Sequence, residues 1–239
     1  MIANGVDHDT DPAAVVAVDG LTRRFRRGRE TVVALDGVGL ALYAGELTVA
    51  AGPSGSGKTT LLSILAGLDR PDGGRIRYGD RMGPLPTWRH LGFVPQSLAL
   101  LDELTVRENI ELPVLLDPAA APAGDWSTDR LMELLEITHL ADRYPALISG
   151  GEQQRTAVAR AVRLRPALLL GDEPTGHQDR GRVDLVLGML RGFAYAGHSV
   201  LISSHDEAVI AGADRVVTLA DGRIVGDRRA TYSPHSLPG

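Results

Sequence analysis

One short stretch of the chain combines glycines, a lysine and threonines in an order that suits phosphate binding. An apolar run over residues 47–51 leads into it and an apolar helical pattern follows, so a strand enters a glycine-rich turn that opens a helix. Such a turn points backbone N–H groups and a helix N-terminus at phosphate oxygens. Lys58 can then reach the β- and γ-phosphates, and the Thr59 hydroxyl can hold Mg²⁺. The predicted phosphate-binding residues are Gly52, Pro53, Ser54, Gly55, Ser56, Gly57, Lys58, Thr59 and Thr60.

Lys58 is the only lysine in the chain, and the other strongly basic side chains are all arginines. A coding preference for arginine explains the general pattern. Lys58, the single exception, lies where phosphate binding requires a compact ammonium group. The broad guanidinium of arginine is a poor substitute inside a phosphate loop. This favours phosphate binding over the plainer alternative, a glycine-rich turn before an ordinary helix.

Two adjacent carboxylates, Asp172 and Glu173, follow a wholly apolar run over residues 167–171, which is typical of a central parallel strand. Ligands of open α/β sheets bind at the carboxyl ends of such strands. There Asp172 could bind Mg²⁺, and Glu173 could orient or deprotonate an attacking water. The alternative is a strand that simply ends in an acidic turn.

Two further polar residues follow buried strands in the same way. His205 comes shortly after the apolar run 199–203, and Gln96 comes after the run 91–94. A neutral histidine at this edge could donate a hydrogen bond to a γ-phosphate or hold the water, although a lone histidine after a strand is more often a cap or a surface residue. Gln96 stands where the sheet gives way to a helical segment, so it is a candidate hinge.

A third motif begins a long predicted helix. Ser149 followed three residues later by Glu152 is a capping-box pattern, so a well-capped surface helix is one interpretation. Gly150 and Gly151 weaken a helix and remove side chains from its N-terminus, where an anion could then approach the backbone. The glycines favour a second phosphate-contacting surface.

An arginine-rich run over residues 23–29 surrounds Phe25. One interpretation is a solvated loop. The other is that Phe25 stacks on a nucleotide base while the arginines raise the local positive potential. The sequence leaves both interpretations open.

The composition places broad limits on function. A net charge of −5 with 44% hydrophobic residues predicts a soluble globular protein and gives no sign of nucleic-acid binding. The absence of cysteine excludes disulfides, thiolate metal sites and a cysteine nucleophile. The acidic N-terminal segment lacks the apolar core of a signal peptide, and no apolar run approaches the roughly 20 residues of a membrane helix. A membrane role would need another chain to span the bilayer.

The chain is long enough for one large α/β domain, or for one domain with an inserted subdomain. Residues 1–14 are expected to be a disordered lead and residues 227–239 a flexible tail. The apolar stretch 98–116 is either a small helical core or a docking surface. Further predicted strands are 14–18, 32–35, 38–42, 75–78, 216–219 and 223–225, with a turn at Asp36-Gly37; predicted helices are 58–68, 153–164 and 183–195.

Together these motifs resemble those of the ATP-binding subunit of an ABC transporter. In the family's terms they are the Walker A loop (52–60), the Q-loop (Gln96), the signature (148–152), Walker B with its following glutamate (168–173) and the H-loop (His205). The match keeps the family's order over about residues 15–226. It implies an α/β fold of the P-loop NTPase class, with a mostly parallel central sheet, an N-terminal antiparallel β-subdomain and an α-helical subdomain inserted at about 97–165.

The resemblance also implies cofactors, roles and partners. The cofactors are ATP and Mg²⁺, and Phe25 sits where the family places its adenine-stacking aromatic. The implied metal ligands are Thr59, Gln96 and Asp172, and the implied catalytic residues are Glu173, His205, Lys58 and Gln96. Two subunits form a head-to-tail homodimer in which Ser149, Gly150, Gly151 and Glu152 of one cap the ATP of the other. Transmembrane permease subunits would hold the pair at the cytoplasmic face of the membrane, and no nucleic acid is involved.

Within the family, the details resemble the branch of LolD, MacB and FtsE-like ATPases. They are the loop sequence Gly-Pro-Ser-Gly-Ser-Gly-Lys over residues 52–58, Glu108-Asn109 with Leu112-Pro113, and the run 172–176. This branch implies export or mechanical work of the lipoprotein, peptide or drug type. The alternatives are a small-solute importer ATPase, a soluble ABC ATPase, a P-loop kinase or GTPase, and a binding-only subunit.

Three departures from the family pattern stand out. The signature begins with Ile148 and ends with Glu152, where Leu and Gln are more usual. The segment His177-Gln178-Asp179 stands where the family usually has a small polar residue, Leu and Asp, so Gln178 replaces the leucine that packs at the family's subunit interface. Ser203-Ser204 precede His205 where a β-branched residue and Thr are usual. None of these changes removes a predicted catalytic group.

Overall fold

The computed structural model describes residues 13–28, 30–82, 87–122, 126–176 and 180–230. In chain order the elements are β1 (Ala14–Arg27), β2 (Glu30–Tyr43), β3 (Leu47–Ala51), α1 (Lys58–Leu65), β4 (Gly73–Tyr78), β5 (Leu91–Val94), α2 (Val106–Leu116), α3 (Thr128–Leu134), α4 (Gly150–Val162), β6 (Leu168–Asp172), α5 (Arg180–Tyr195), β7 (Ser199–Ser203), α6 (Glu207–Ala211), β8 (Arg215–Ala220) and β9 (Arg223–Arg229). Short 3₁₀ turns at Pro118–Ala120, Thr138–Leu140 and Pro145–Leu147 lie between α2 and α4.

The larger sheet gathers the carboxyl ends of four neighbouring strands at one edge. Its order is β5-β6-β7-β3-β8-β9, and its strand pairs are parallel up to the antiparallel pair β8–β9. Strands β3, β6 and β7 are buried along their whole length, in keeping with their apolar runs. The predicted mostly parallel core is thereby confirmed. The segments that follow β5, β6, β7 and β3 consequently lie side by side.

The smaller sheet is antiparallel, in the order β2-β1-β4. The predicted turn at Asp36-Gly37 is wrong. It is a bulge inside the single long strand β2, because the register with β1 shifts there and Gly37 has a φ of 72°. For the arginine-rich run, the loop interpretation is wrong as far as Arg27, since these residues pair with the start of β2.

Helices fill the segment between β5 and β6. Val106 and Ile110 of α2 are fully buried and join the same apolar cluster as residues of α3 and α4. The Arg163 guanidinium, just after α4, donates to the Glu111 carboxylate and the Thr128 hydroxyl, each at 3.1 Å. Part of the stretch 98–116 is therefore helical core, and these polar contacts tie the three helices together.

Several element ends differ from the predicted ones. Helix α1 ends at Leu65 and not at residue 68. Strand β1 begins at Ala14 as predicted, but it continues to Arg27 and does not end at residue 18. Strand β9 continues past the predicted strand end at residue 225, because its backbone pairs with β8 as far as Arg229. Arg215 on β8 also forms a two-bond ion pair with Asp227, at 2.8 and 2.6 Å. Residues 1–12 and 231–239 lie outside the described residues. Within the described ranges, none of the helices has both the length and the apolar character needed to cross a bilayer.

Candidate functional site

The glycine-rich loop forms a backbone cradle between β3 and α1. Gly52 has a φ of 143°, and a Cβ there would lie 2.2 Å from the carbonyl oxygen of Leu219. Gly57 has a φ of 107°, and a Cβ there would lie 2.4 Å from the carbonyl oxygen of Ala34. Both positions require glycine, because the neighbouring backbone leaves no room for a side chain. Helix α1 then begins at Lys58, so the first N–H groups of the helix belong to the predicted phosphate site.

The side chain of Lys58 turns back over this loop. Its Nζ donates to the carbonyl oxygens of Gly52 and Pro53, at 2.8 and 2.9 Å. The only ammonium side chain of the protein therefore rests on the loop that it is predicted to serve. A phosphate there would offer it charged acceptors in place of neutral ones, and charge-assisted bonds are the stronger kind.

A cleft at the carboxyl edge of the larger sheet brings most of the predicted site residues together. From the glycine-rich loop and α1 it is lined by Ser54, Gly55, Gly57, Lys58, Thr59 and Thr60. Gln96 after β5 and Asp172 and Glu173 at the end of β6 complete this part of the lining. A neighbouring cleft is lined by Gln96, Glu173 and His205. The Lys58 ammonium, the glycine-rich loop and the two carboxylates therefore lie close together.

The two carboxylates differ in burial and in partners. Asp172 is 4% exposed, and its Oδ1 accepts a 2.6 Å hydrogen bond from the Ser203 hydroxyl on β7. The same hydroxyl accepts a 2.9 Å bond from the backbone N–H of Glu173. The Glu173 side chain is 22% exposed and lines both clefts. It is thus the carboxylate that a water molecule can reach.

The backbone of Glu173 is strained and is held from outside. Its φ of 52° is uncommon for a residue with a side chain. Its carbonyl oxygen accepts a 2.6 Å bond from Nε2 of Gln154 on α4. Its Oε1 lies 2.8 Å from Nδ1 of His205, and this hydrogen bond to Glu173 raises the pKa of His205. The His205 ring is mostly exposed, so a ligand can displace it more easily than it can displace the backbone contacts.

The Ser149 motif lies at the N-terminus of α4. The capping box is present, since the Ser149 hydroxyl accepts from the backbone N–H of Glu152 at 3.4 Å and the Ser149 N–H donates to Oε2 of Glu152 at 2.7 Å. The backbone hydrogen bond from Ser149 lowers the pKa of Glu152. Ser149 and Gly150 are exposed, and none of the described residues lining the two clefts comes from this motif. Within one chain, therefore, the structure does not bring it to the phosphate loop.

Phe25 lies on β1 opposite Val32, a residue that lines the cleft of the phosphate loop. Its ring is 40% exposed, and the Arg23 guanidinium lies over it, 4.6 Å from the ring centroid. Arg23 is in turn held by Asp69 at 2.8 Å and by Asp72 at 3.0 Å. The Phe25 ring thus already has the Arg23 guanidinium on one face. Stacking of this ring on a nucleotide base stays a prediction.

The chain after Gln96 follows an unusual path. Leu98 and Ala99 have φ values of 61° and 48°, so two consecutive residues with side chains are left-handed. Arg160 on α4 donates to both of their carbonyl oxygens, at 2.8 and 2.7 Å. The loop after the predicted hinge is therefore held by the helix that carries the Ser149 motif.

Three of these contacting side chains were not identified from the sequence as site residues. They are Ser203, Gln154 and Arg160. Ser203 could have been identified from the sequence, because it is a polar residue at the C-terminal end of a mostly apolar strand. Gln154 and Arg160 lie inside a helical pattern, and nothing in their spacing separates them from surface residues. The departure at residues 177–179 lies outside the described residues.

The residues predicted to hold Mg²⁺ form a suitable set of donors. Thr59, Gln96 and Asp172 line the same cleft and offer a hydroxyl, an amide and a carboxylate oxygen, the ligand type that Mg²⁺ prefers. The described residues contain no cluster of three His, Cys, Asp or Glu. A single carboxylate is nevertheless enough, because Mg²⁺ in such sites keeps waters and binds the substrate's phosphates.

Sequence comparisons identify relatives of this chain. A family model described as ABC transporter matches residues 35–176. The lipoprotein-releasing system ATP-binding protein LolD of Gluconobacter oxydans is 40% identical over 222 residues, which cover 89% of this chain and 96% of LolD. The macrolide export ATP-binding/permease protein MacB of Burkholderia thailandensis is 41% identical over 227 residues, which cover 90% of this chain but 34% of MacB. This chain thus spans about a third of the length of MacB.

Solved structures resemble the fold as well. A dimeric ATP-binding cassette in a post-hydrolysis state, bound to ADP and Pi, matches with a TM-score of 0.78 at 30% identity, over 90% of this chain and 98% of that chain. A dimeric bacterial ABC transporter cassette matches with a TM-score of 0.79 at 30% identity and the same coverage. Both are pairs of cassettes.

Proposed function

This chain belongs to the ABC transporter family, and we propose that the cleft beside its glycine-rich loop is where it binds and hydrolyses ATP. One observation carries the proposal: Lys58, Asp172 and Glu173 line the same cleft. They supply a phosphate-binding ammonium, a buried carboxylate suited to a cation, and a carboxylate that water can reach. Phosphoryl transfer to water depends on these three elements, because its catalysis is mostly positioning and charge stabilisation.

In the proposed reaction, the loop N–H groups and Lys58 hold the β- and γ-phosphates. Glu173 orients the attacking water and accepts its proton, while His205 donates a hydrogen bond to the γ-phosphate or helps to hold the water. The bond from water oxygen to the γ-phosphorus forms as the bond from that phosphorus to the bridging oxygen breaks. ADP and inorganic phosphate are the products.

Two further groups of residues complete the proposed nucleotide site. Thr59, Gln96 and Asp172 would hold Mg²⁺, which when bound neutralises charge on the phosphates. Phe25 would carry the adenine base, with its cross-strand partner Val32 at the wall of the cleft. Gln96 would also report the state of the nucleotide, because the chain leaves the sheet for the helical segment at this point.

The proposed site is completed by a second copy of the chain. The helix N-terminus formed by Ser149, Gly150, Gly151 and Glu152 is exposed at its first two residues and lies outside the cleft of its own chain, so it suits a γ-phosphate held by a partner. The two cassette structures described above are dimeric, which supports a pair of chains. We propose that the pair is head-to-tail. ATP would favour the closed pair because its γ-phosphate contacts both halves, and hydrolysis would remove that preference.

The work that ATP drives is inferred from the relatives. LolD is named for a lipoprotein-releasing system, and MacB for macrolide export and as an ATP-binding/permease protein. We propose that this chain likewise powers export or mechanical work of the lipoprotein, peptide or drug type. It would do so at the cytoplasmic face of a membrane, bound to transmembrane permease subunits.

The exposed part of the stretch 98–116 is the proposed docking face for the permease. Leu101, Leu115 and Leu116 are 42%, 63% and 67% exposed, whereas Val106 and Ile110 of the same stretch are fully buried. The buried residues belong to the helical core, and the exposed leucines are available to a partner.

Hydrolysis gives the first test. The wild-type protein should hydrolyse ATP in the presence of Mg²⁺. Glu173→Gln should still bind ATP but turn over roughly 10²- to 10⁴-fold more slowly, the usual contribution of a general base. Turnover at the wild-type rate in this variant would remove Glu173 as the base.

Affinity purification of Glu173→Gln from membranes, in mild detergent with ATP, tests the partner. We expect a permease with few membrane helices and a large outer domain. Recovery of an importer-type permease would favour the small-solute alternative. Recovery of no membrane protein would contradict the proposed role at a membrane.

A further inference from the structure

The hydroxyl of Ser203 joins both carboxylates of the proposed site. Parallel pairing of β6 with β7 sets Ser203 beside Asp172. A serine hydroxyl has one proton to donate and can accept at its lone pairs. The proton goes to Oδ1 of Asp172 at 2.6 Å, and the oxygen accepts the backbone N–H of Glu173 at 2.9 Å. Ser203 is fully buried, so water does not compete for either bond.

The bond to Asp172 orients its carboxylate. Its length falls in the range of charge-assisted O–H···O⁻ bonds, which are stronger than neutral ones. Because Oδ1 is held by Ser203, Oδ2 is the oxygen left for a cation in the cleft that Asp172 lines. Loss of the hydroxyl would leave the carboxylate free to rotate.

The bond from Glu173 supports a strained backbone. A residue with a side chain persists at a φ of 52° only where its surroundings fix it. The Glu173 peptide groups are fixed on two sides, at the N–H by Ser203 and at the carbonyl by Gln154. Of these two supports, Ser203 also contacts Asp172 and so links the two carboxylates.

We propose that Ser203 is a positioning residue for ATP hydrolysis, which fixes Oδ2 of Asp172 for the cation and aims the Glu173 carboxylate at the water. The inference rests on the proposed function of the cleft. Valine or isoleucine in place of Ser203 could make neither hydrogen bond. The proposed positioning therefore depends on the serine that this chain has where a β-branched residue is usual in the family.

The test compares three variants at β7. Ser203→Ala removes both bonds, and Ser203→Thr keeps the hydroxyl. Ser199→Ala is the matched control, because Ser199 is 1% exposed on the same strand and its hydroxyl has no hydrogen-bond partner among the described residues. For each protein, kcat and KM for ATP, the affinity for ATP in EDTA and in Mg²⁺, and the midpoint of thermal unfolding are measured.

Ser203→Ala should lower kcat roughly 10- to 100-fold, as removal of a residue that orients a metal ligand usually does. Its affinity for ATP in EDTA should match the wild type, because the phosphate loop is untouched, but the gain in affinity on adding Mg²⁺ should be smaller. Ser203→Thr should restore both values, and Ser199→Ala should not change them. A merely structural role would lower the unfolding midpoint without changing the gain from Mg²⁺.

Unchanged kcat and an unchanged Mg²⁺ gain in Ser203→Ala would overturn the inference. If that variant fails to fold, Ser203→Val, which has the shape of the Ser203→Thr variant, removes both bonds, and wild-type turnover in it would overturn the inference equally. Either result leaves the proposed function standing as long as the wild type hydrolyses ATP and Glu173→Gln does not. Wild-type turnover in Glu173→Gln would instead contradict the proposed function itself.

Discussion

Single residues of the proposed site are held in place by short polar contacts within the chain. Lys58 rests on two carbonyl oxygens at 2.8 and 2.9 Å, and Asp172 is fixed by Ser203 at 2.6 Å. Groups fixed in this way need little reorganisation when charge develops at a phosphate, which is the basis of electrostatic catalysis. His205 differs, because its ring is exposed and can change partners.

Lys58→Ala should weaken ATP binding by roughly 10- to 100-fold, since it removes charge-assisted hydrogen bonds to the phosphates. Lys58→Arg should lose affinity too, because a guanidinium does not fit where a compact ammonium sits 2.8 Å from a loop carbonyl. Titration calorimetry with ATP measures both. Arg75→Ala, which removes a positive charge from the surface, serves as the control and should bind normally. Normal affinity in Lys58→Ala would show that the loop is not the phosphate site.

At the scale of elements, α4 connects three parts of the proposed site. Its N-terminus carries the Ser149 motif, its Gln154 holds the carbonyl of Glu173, and its Arg160 holds the loop after Gln96. A helix of this length is stiff, so a displacement of α4 would move both the proposed general base Glu173 and the loop after the predicted hinge Gln96. The helix that would contact a partner's nucleotide is thus linked physically to the hydrolysis site of its own chain.

Ser149→Ala should separate the local stability of α4 from its proposed function. Thr105 and Glu108 form the same capping box on α2, so Thr105→Ala is a matched control. Each change should lower the free energy of unfolding by about 1 kcal/mol, measured by urea denaturation. Ser149→Ala should in addition lower ATP hydrolysis well below that of Thr105→Ala. Equal hydrolysis in the two variants would contradict a nucleotide-capping role for this helix end.

The elements also show what could be predicted from the sequence. Strands β3, β6 and β7 were predictable because unbroken apolar runs bounded by turn residues have few other folded forms. The Asp36-Gly37 pair was wrongly predicted to be a turn, because turns and bulges favour the same residue types. Only the pairing of β2 with β1 distinguishes the two. The contacts of Ser203, Gln154 and Arg160 depend on which elements become neighbours, and local sequence does not encode this directly.

At the scale of the whole molecule, buried polar groups make stability depend on pH. His198 is 3% exposed and stacks on Phe193, with ring centroids 4.1 Å apart. Its Nδ1 lies 2.8 Å from the carbonyl oxygen of Pro166, so Nδ1 carries the proton, and Nε2 is buried without a partner among the described residues. Burial lowers the pKa of His198, and the nearby Arg165 and Arg81 act in the same direction. These surroundings therefore favour the neutral form of the ring in the native state.

Acidification should destabilise the protein through His198. The pKa of His198 is lower in the folded state than in the unfolded state, where it is about 6.5. Its contribution to the free energy of unfolding is therefore present above about pH 6.5 and is lost as the pH falls below that value. His205 has the opposite sign, since its raised pKa contributes at low pH and is lost as the pH rises through the folded value. Its ring is 80% exposed, however, and solvent screens such a pair. Of the two histidines, the buried His198 should therefore have the larger effect on the acid response.

His198→Asn keeps a donor for Pro166 and cannot titrate. Thermal unfolding at about pH 7 and about pH 5 should show a smaller loss of stability on acidification in this variant than in the wild type. An equal loss in the two proteins would mean that other groups control the acid response.

In the proposed dimer, two copies of this chain share each ATP. The most direct measurement is the mass of Glu173→Gln in solution by sedimentation velocity, with and without ATP and Mg²⁺. We predict a monomer without nucleotide, a dimer with ATP, and a return to monomer when Lys58→Ala is added to the same chain. A Glu173→Gln protein that binds ATP and stays monomeric at every concentration would contradict it.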